Sequence, residues 1–183
     1  MDKNFSYRKA TVDDIDDIRA LMDLAIIELQ KAYLDEDQLN AAHQFMGIDT
    51  QLIEDGTYFI ILHNQSLEDE KIVGCGGWGK RATLYGGNHT KGRNDQLLDP
   101  DHDRARIRAM YCHPDWARRG IGRYIIEISE KAAQDEGFSK MTLGSTLAGL
   151  GLYKACGYHV VENEFDETED GIKIPVFRME KDF

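Results

Sequence analysis

The chain has 183 residues, of which 42% are hydrophobic and 30% are charged, a composition typical of one globular domain. Its formal net charge of −11 repels phosphates over most of the surface, which argues against a nucleic-acid binder. An acidic surface attracts cationic substrates such as amines, although it also serves solubility. The start, MDKNFSYRKA, lacks the apolar core of a secretory signal, and no apolar run approaches the ~18 residues of a membrane span.

The first half of the chain predicts a strand, two helices and two further strands. The first helix has Thr11 as its N-cap and an apolar stripe, and its acidic residues at 13, 14, 16 and 17 suit the positive end of the helix dipole. We therefore assign these acids no chemistry. The polar turn QSLEDE joins the last two strands. The predicted ranges are, in order, 5–10, 11–30, 37–46, 57–64 and 71–80.

The second half predicts a long Gly- and Asp-rich loop followed by alternating strands and helices. In the strand RARIRAMYCH, the alternation of Ile107, Ala109 and Tyr111 predicts one shared face. The last two strands, joined by the acidic turn DETEDG, predict an antiparallel hairpin. Residues 1–183 are thus predicted to form one mixed α/β domain. The ranges are a loop at 81–104, a strand at 104–113, helices at 121–137 and 147–157, and strands at 139–145, 158–165 and 172–181.

The stretch GCGGWGKR, residues 74–81, comes close to a phosphate-binding loop. Its glycines and Lys80 have the required spacing, but Arg81 stands where that loop needs Ser or Thr to bind magnesium. No helix pattern begins after Lys80 to present its N-terminus to a phosphate. We interpret the stretch as a strand in which glycines allow close approach of another group.

A better anion site follows the strand that ends at Pro114. There the loop WARRGIGR leads directly into an amphipathic helix, whose first-turn N–H groups and dipole favour anions. Gly120 and Gly122 allow the backbone to approach a pyrophosphate, and three arginines reverse the local charge of an acidic chain. A dinucleotide fingerprint is the first alternative, but Ile125 replaces its third glycine. The second alternative is a tight strand-to-helix turn without a ligand.

With this strand, loop and helix, the sequence resembles the GNAT N-acetyltransferase superfamily over nearly its whole length. The segment LYKACGY, residues 152–158, is similar to the family's xYxxxGF/Y segment. The resemblance implies an α/β (α+β) fold: a single domain with a mixed, mostly antiparallel twisted sheet of about six to seven strands flanked by about four helices. It also implies acetyl-CoA as the co-substrate and no metal.

The resemblance assigns roles to individual residues. Tyr153 takes the position of the family's general acid, and Thr146 stands where many relatives have an asparagine that contacts pantetheine. The strand end would bind pantetheine through its backbone, and the loop would bind the pyrophosphate. These two groups are Met110, Tyr111 and Cys112 for the strand, and Arg118, Arg119, Gly120, Ile121, Gly122 and Arg123 for the loop. The chain departs from the family at Ala117 in the loop, at Thr146, and at Arg106, which lies where some relatives carry a catalytic glutamate.

The implied reaction is direct transfer of an acetyl group to an amine in a ternary complex. A tyrosine supplies a proton to the departing thiolate, and a backbone N–H at 110–112 holds the thioester oxygen. Candidate bases are Asp103, His102 and Glu28, and water is the alternative. A covalent route through Cys112 or Cys156 lacks a histidine partner in sequence. A metal site built from His102, Asp103 and His113 is not expected.

The sequence leaves the acceptor open among small amines, antibiotics, polyamines, peptide N-termini and lysines. We expect it between residues 28–45, the 81–104 loop and the last hairpin, with Tyr33, Trp78 and Tyr85 lining the site. Three widely spaced cysteines predict reduced thiols and a cytoplasmic location. Neither a membrane nor nucleic acid is an expected partner, and a homodimer stays open. A non-catalytic acyl-CoA-binding module and a nucleotide binder are the alternative functions.

Overall fold

The computed structural model describes residues 5–64 and 70–183, so the turn predicted at 65–70 lies outside the described residues except for its last position. The described strands form one sheet in the order β1-β2-β3-β4-β5-β7-β6. The strands are β1 (Phe5–Lys9), β2 (Tyr58–Asn64), β3 (Glu70–Gly79), β4 (Ala105–Cys112), β5 (Lys140–Ser145), β6 (His159–Glu167) and β7 (Lys173–Asp182). The helices are α1 (Ile15–Gln30), α2 (Glu36–Phe45), α3 (Thr50–Glu54), α4 (Ile121–Asp135) and α5 (Leu150–Ala155).

Each predicted strand and helix is present, and the predicted mixed, mostly antiparallel sheet is confirmed. The sequence analysis missed α3, because its five residues are too short to show a helical period. The last two strands pair antiparallel as predicted, and β7 is inserted between β5 and β6. Within residues 5–64 and 70–183, no helix combines the length and the apolar composition that a membrane crossing requires.

Helices cover both faces of the sheet, because the central strands are apolar on both sides. In β2, Tyr58 and Ile60 pack with residues of α1, whereas Ile61 packs with Ile121 and Ile125 of α4. This pattern of a strand buried on both faces explains why β2 reads as a continuous apolar run. The two layers place α1 to α3 on one side and α4 and α5 on the other.

The acidic start of the first helical segment has the structural role expected from the sequence. Val12–Asp14 forms a short 3-10 turn that leads into α1, and Thr11 and Asp14 form its capping box. Both carboxylate oxygens of Asp14 accept from Arg8 at 2.7 Å. The Arg8 guanidinium is the main cause that lowers the pKa of Asp14 to about 2.

A β-bulge in β4 corrects the predicted alternation of this strand. Between the pairs Arg108–Gly77 and Tyr111–Cys75, two residues of β4 (Ala109 and Met110) face one residue of β3, and Ala109 has a φ of 48°. As a result Ile107 packs toward α4, but Ala109 and Tyr111 pack toward α1. The Tyr58 hydroxyl donates to the Ala109 carbonyl at 2.6 Å and holds the bulge. A bulge of this kind re-aims the side chains that follow it.

Beyond the start of β4 the sheet opens. Parallel pairing between β4 and β5 covers only Ala105 with Met141 and Arg106 with Thr142. The strand continues to Cys112 on the β3 side, whereas β5 continues along β7. The two central strands therefore separate after Arg106 and Thr142, before the bulge, and their backbones line a gap in the sheet.

The stretch GCGGWGKR is a strand, as the sequence analysis interpreted it. Gly74 belongs to β3, and a Cβ built on it would lie 2.5 Å from Cγ2 of Ile121. The absence of a side chain there lets the first turn of α4 lie directly on the sheet. Lys80 and Arg81 are engaged elsewhere, with Glu136 at 3.2 Å and with Asp55 at 2.7 Å.

Candidate active site

A cavity of about 680 Å³ lies where β4 and β5 separate. Its walls include the end of β4, the start of α4, the segment after β5, and α5. It also extends to α1, α2, the 81–104 loop, β6 and β7. The structure brings almost all of the predicted site residues to this cavity: Met110, Tyr111, Cys112, Arg118, Gly120, Ile121, Gly122, Arg123, Thr146 and Tyr153.

The N-terminus of α4 forms the cationic end of the cavity. Gly120 is the N-cap in the left-handed conformation, with φ at 89°, and a Cβ built on it would meet nothing within 4 Å. The first-turn amides after Gly120 have no acceptor within the helix, so they suit an anion. Arg118 is exposed at the cavity, and Arg123 donates to the Ala155 carbonyl at 3.3 Å. These groups fit a pyrophosphate.

Two residues of this loop differ in detail from the expectation. Arg119 does not line the cavity, since its guanidinium lies 4.5 Å from the Trp116 ring centroid. A Cβ built on Gly122 would lie 2.6 Å from Cδ2 of Leu152. The Leu152 side chain would have to shift to admit a side chain at 122, so packing of α4 against α5 is a second explanation of this glycine beside close approach of a pyrophosphate.

Tyr153 reaches the gap between the strands from α5. Its hydroxyl lies 3.6 Å from Sδ of Met110, and its ring packs edge-on against Tyr158 with centroids 6.0 Å apart. The side chain is 8% exposed, and burial raises the pKa of Tyr153 above its ordinary value. The hydroxyl therefore stays protonated at neutral pH, as a proton donor must.

The cysteines are poorly suited to act as nucleophiles. Cys112 lines the cavity, but burial raises the pKa of its thiol to about 11. Cys156 does not line the cavity, and burial raises the pKa of its thiol as well. Since the thiolate is the reactive form, neither environment activates a sulfur.

The candidate bases lie away from the cavity lining. His102 and Asp103 are held in a turn, where the His102 ring pairs with Asp99 at 3.0 Å and Asp103 accepts from the Asp99 amide at 2.8 Å. Glu28 pairs with Lys31 on the surface of α1. Arg106 remains in the paired part of β4 and donates to the Arg104 carbonyl.

The sequence analysis expected three aromatic side chains to line the acceptor site. Tyr33 and Tyr85 line the cavity, but Trp78 does not. Trp78 is 1% exposed and packs against Phe138, so its assignment to the acceptor site is corrected to the core.

In the part of the chain that the structure describes, no group of three or more His, Cys, Asp or Glu side chains is arranged to hold a metal.

Sequence reasoning missed Asp166, which lines the cavity from β6. It was placed in an acidic turn, but β6 continues to Glu167. The Tyr85 hydroxyl donates to Oδ1 of Asp166 at 2.8 Å. Burial raises the pKa of Asp166, and the Tyr85 hydrogen bond partly opposes this. The alternation of Glu162, Glu164 and Asp166 was the available signal for a longer strand.

A buried ion pair that the sequence did not indicate fixes the loop that carries Tyr85. The Arg108 guanidinium binds Asp49 at 2.7 Å and donates to the carbonyls of Thr83 and Gly86, each at 2.9 Å. Both ionic side chains are almost fully buried, at 3% and 1% exposed. Burial lowers the pKa of Arg108, and the Asp49 carboxylate opposes that change.

Solved structures with the same fold include several acetyltransferases. A GCN5-related N-acetyltransferase from Rhodopseudomonas palustris has a TM-score of 0.67 at 18% identity, covering 97% of this chain and 95% of its own. PaiA N-acetyltransferase from Thermoplasma acidophilum, in complex with coenzyme A, has a TM-score of 0.63 at 12% identity, with 98% and 99% covered. The yncA structure from Salmonella typhimurium, with its cofactor acetyl-CoA, has a TM-score of 0.62 at 15% identity, with 98% and 94% covered.

At these identities the likeness concerns the fold. A search of curated proteins finds no match. The model of the acetyltransferase (GNAT) family, however, matches residues 18–158, which is most of the chain. Together with the loop, the gap in the sheet and Tyr153, this match shows that the chain belongs to the GNAT family of acetyltransferases.

Proposed function

We propose that the protein transfers an acetyl group from acetyl-CoA to a primary amine of a small molecule or peptide, directly and in a ternary complex. Residues 1–183 would form one catalytic domain. The three free cysteines support a reducing, cytoplasmic location. The PaiA structure contains coenzyme A and the yncA structure contains acetyl-CoA, and both support the choice of acetyl-CoA as the donor.

One observation carries this proposal: a single cavity joins the N-terminus of α4, the open end of β4 and the Tyr153 hydroxyl. The first-turn amides, with Arg118 and Arg123, would bind the pyrophosphate. The backbone at Met110 to Cys112 would bind the pantetheine arm. Thr146 lines the same cavity and is proposed as a further contact. In this arrangement the thioester would lie beside Tyr153.

The chemical step needs few protein groups. A nitrogen–carbon bond forms as the carbon–sulfur bond breaks, and the amine gives one proton to solvent water. A backbone N–H at 110–112 polarises the thioester carbonyl. The Tyr153 hydroxyl gives its proton to the departing sulfur and is reprotonated from solvent. The raised thiol pKa of Cys112 supports direct transfer over an acyl-cysteine.

The test of the proposal is Tyr153→Phe. We expect kcat to fall on the order of a hundredfold, because the proton donor is lost, while the acetyl-CoA Kd changes less than about twofold. The measurement combines thiol release during turnover with calorimetric binding of acetyl-CoA. Tyr158→Phe is the matched control, because it removes a hydroxyl from the ring next to Tyr153 that does not line the cavity.

A different result would point to the alternative function. If acetyl-CoA binds but no amine in a broad panel is acetylated, the protein is an acyl-CoA-binding module without turnover. If Tyr153→Phe and Tyr158→Phe have equal effects on kcat, the hydroxyl of Tyr153 is not the proton donor.

A further inference from the structure

The part of the cavity formed by α1, α2, β6 and β7 is mainly apolar and contains one acidic group. Among the described residues that line the cavity, Asp166 is the only carboxylate. The apolar residues in this part are Ile26, Leu29, Phe45, Met46, Ile174 and Val176. A single carboxylate within an apolar wall selects a cation with an aliphatic portion.

Asp166 has no cationic partner among the residues that the structure describes. Glu162 and Glu164 lie on the same face of β6, and Arg178 reaches both of them, at 3.1 Å and 4.0 Å. Asp166 accepts from the Tyr85 hydroxyl through Oδ1 alone. Its second oxygen therefore has the capacity to accept from a ligand.

The Tyr85–Asp166 pair is held in a fixed position. A Cβ built on Gly144 would lie 2.5 Å from Cδ1 of Tyr85, so the ring lies directly on the backbone of β5. The buried Arg108 binds the carbonyls on both sides of Tyr85, at Thr83 and Gly86. A carboxylate oriented by a packed and anchored tyrosine is a preorganised binding group.

The sheet order separates this carboxylate from the place of acetyl transfer. β6 lies three strands from β4, because β5 and β7 intervene. Adjacent paired strands are about 4.8 Å apart, so three such steps separate the two backbones by at least roughly 14 Å, and the opening between β4 and β5 adds to this distance. Tyr153 and Met110 mark the β4 side of the cavity. A single amino group is too small to contact both Asp166 and the thioester. An acceptor that contacts both must span much of this distance.

We propose that Asp166, oriented by Tyr85, binds a second ammonium group of the acceptor, so that the acceptor is a small aliphatic diamine or polyamine. This inference rests on the proposed acetyltransferase function. The reacting amine lies in the gap between β4 and β5, and the aliphatic chain crosses the apolar wall. The distal ammonium group donates to the free oxygen of Asp166 and faces the Tyr33 and Tyr85 side chains that line the cavity.

The experiment compares diamines with monoamines of equal carbon number. Putrescine, cadaverine and hexamethylenediamine are tested against butylamine, pentylamine and hexylamine, and the readout is the ratio of kcat/KM values. We expect the wild type to favour at least one diamine, and Asp166→Asn to reduce that ratio about tenfold or more, because a charge-assisted hydrogen bond is lost. Tyr85→Phe should give a smaller reduction, since it leaves the carboxylate in place.

Glu167→Gln is the matched control, because it removes one charge from an exposed neighbour on the opposite face of β6. It should leave the ratio unchanged. The inference is overturned if the wild type shows no diamine preference, or if Asp166→Asn lowers both classes of amine equally.

A binding measurement separates this inference from the proposed function. In the presence of coenzyme A, the preferred diamine should raise the melting temperature of the wild type but not of Asp166→Asn. If this binding is seen without turnover of any amine, the acetyltransferase proposal fails and the diamine site stands. If the diamine raises the melting temperature of both proteins equally, Asp166 is not its binding group.

Discussion

Two neighbouring arginines of the loop before α4 have the same chemistry but different surroundings. Arg118 has a φ of 64° and lines the cavity, whereas Arg119 stacks on Trp116 outside the lining. The backbone turn at Arg118 thus directs consecutive side chains to different places. A charge near the pyrophosphate matters more than one that is held over an aromatic ring elsewhere.

Arg118→Ala and Arg119→Ala test this difference. We expect Arg118→Ala to weaken acetyl-CoA binding about fivefold, because it removes a cation from the anion site, and Arg119→Ala to change the Kd less than about twofold. Both variants remove one positive charge, so each controls for the other. Isothermal titration calorimetry gives the two Kd values. Equal losses of affinity would show that Arg119 leaves the ring to bind the cofactor.

Two carboxylates of this chain, Asp14 and Asp166, differ in the direction of their pKa shifts and in their hydrogen-bond partners. The pKa of Asp14 is held at about 2, chiefly by Arg8, whereas burial raises the pKa of Asp166. Asp14 has its hydrogen-bonding capacity used by the capping box and the ion pair. Asp166 keeps an oxygen available in a cavity. Unpaired charge in a cavity is the usual signature of a binding site.

At the scale of elements, the site depends on how closely α4 lies on β3. Gly74 leaves room for Ile121, the first residue of α4, and further along α4 Ile125 lies in the same contact region. In the proposed function the N-terminus of α4 binds the pyrophosphate, so its position relative to β4 would decide where that group is held. A small residue in the sheet thereby controls a site that it does not line.

Gly74→Ala should displace the start of α4. We expect a loss of about 1–3 kcal/mol in the free energy of unfolding from overpacking, and weaker acetyl-CoA binding because the loop moves. Urea unfolding and calorimetric binding measure the two effects. Gly151→Ala in α5 is the control, because a Cβ there would meet nothing within 4 Å, and it should be neutral or stabilising by up to about 1 kcal/mol.

A double variant makes this prediction sharper. Ile121→Ala removes the Cγ2 atom that a Cβ at 74 would meet. In the background of Ile121→Ala, adding Gly74→Ala should cost clearly less than it does in the wild type. If the two losses simply add, the two positions are not coupled and the close approach is not the cause.

At the scale of the whole molecule, a net charge of −11 surrounds a local cationic site. Arg118 and Arg123 line the cavity at one end, and Asp166 lines it elsewhere. An anionic donor and a cationic acceptor would thus find complementary charges in one cavity. The acidic remainder of the surface favours approach of the cation.

Stabilisation by ligand tests which nucleotide this molecule is built to bind. At a hundredfold excess over its Kd, acetyl-CoA should stabilise the fold by about 2.7 kcal/mol, which raises the melting temperature by roughly 5–10 °C. ATP at the same concentration should have a much smaller effect. Lys80→Ala should leave the acetyl-CoA shift unchanged, because Lys80 pairs with Glu136 away from the cavity. A large ATP shift that disappears in Lys80→Ala would instead favour a phosphate-binding loop at 74–81.

The sequence by itself determined the chain order of the strands and of every helix except α3, the loop rich in glycine and arginine that precedes α4, and the segment that carries Tyr153. These features depend on local properties: residue periodicity, glycine at a left-handed position, and helix capping. Only the tertiary structure decided that β4 bulges at Ala109 and separates from β5, and that Trp78 belongs to the core. The tertiary structure also brings Tyr85 into contact with Asp166, which is 81 positions further along the sequence. It places β6 at the edge of the sheet, beyond β7. Such pairings depend on contacts between distant segments, which local patterns do not encode.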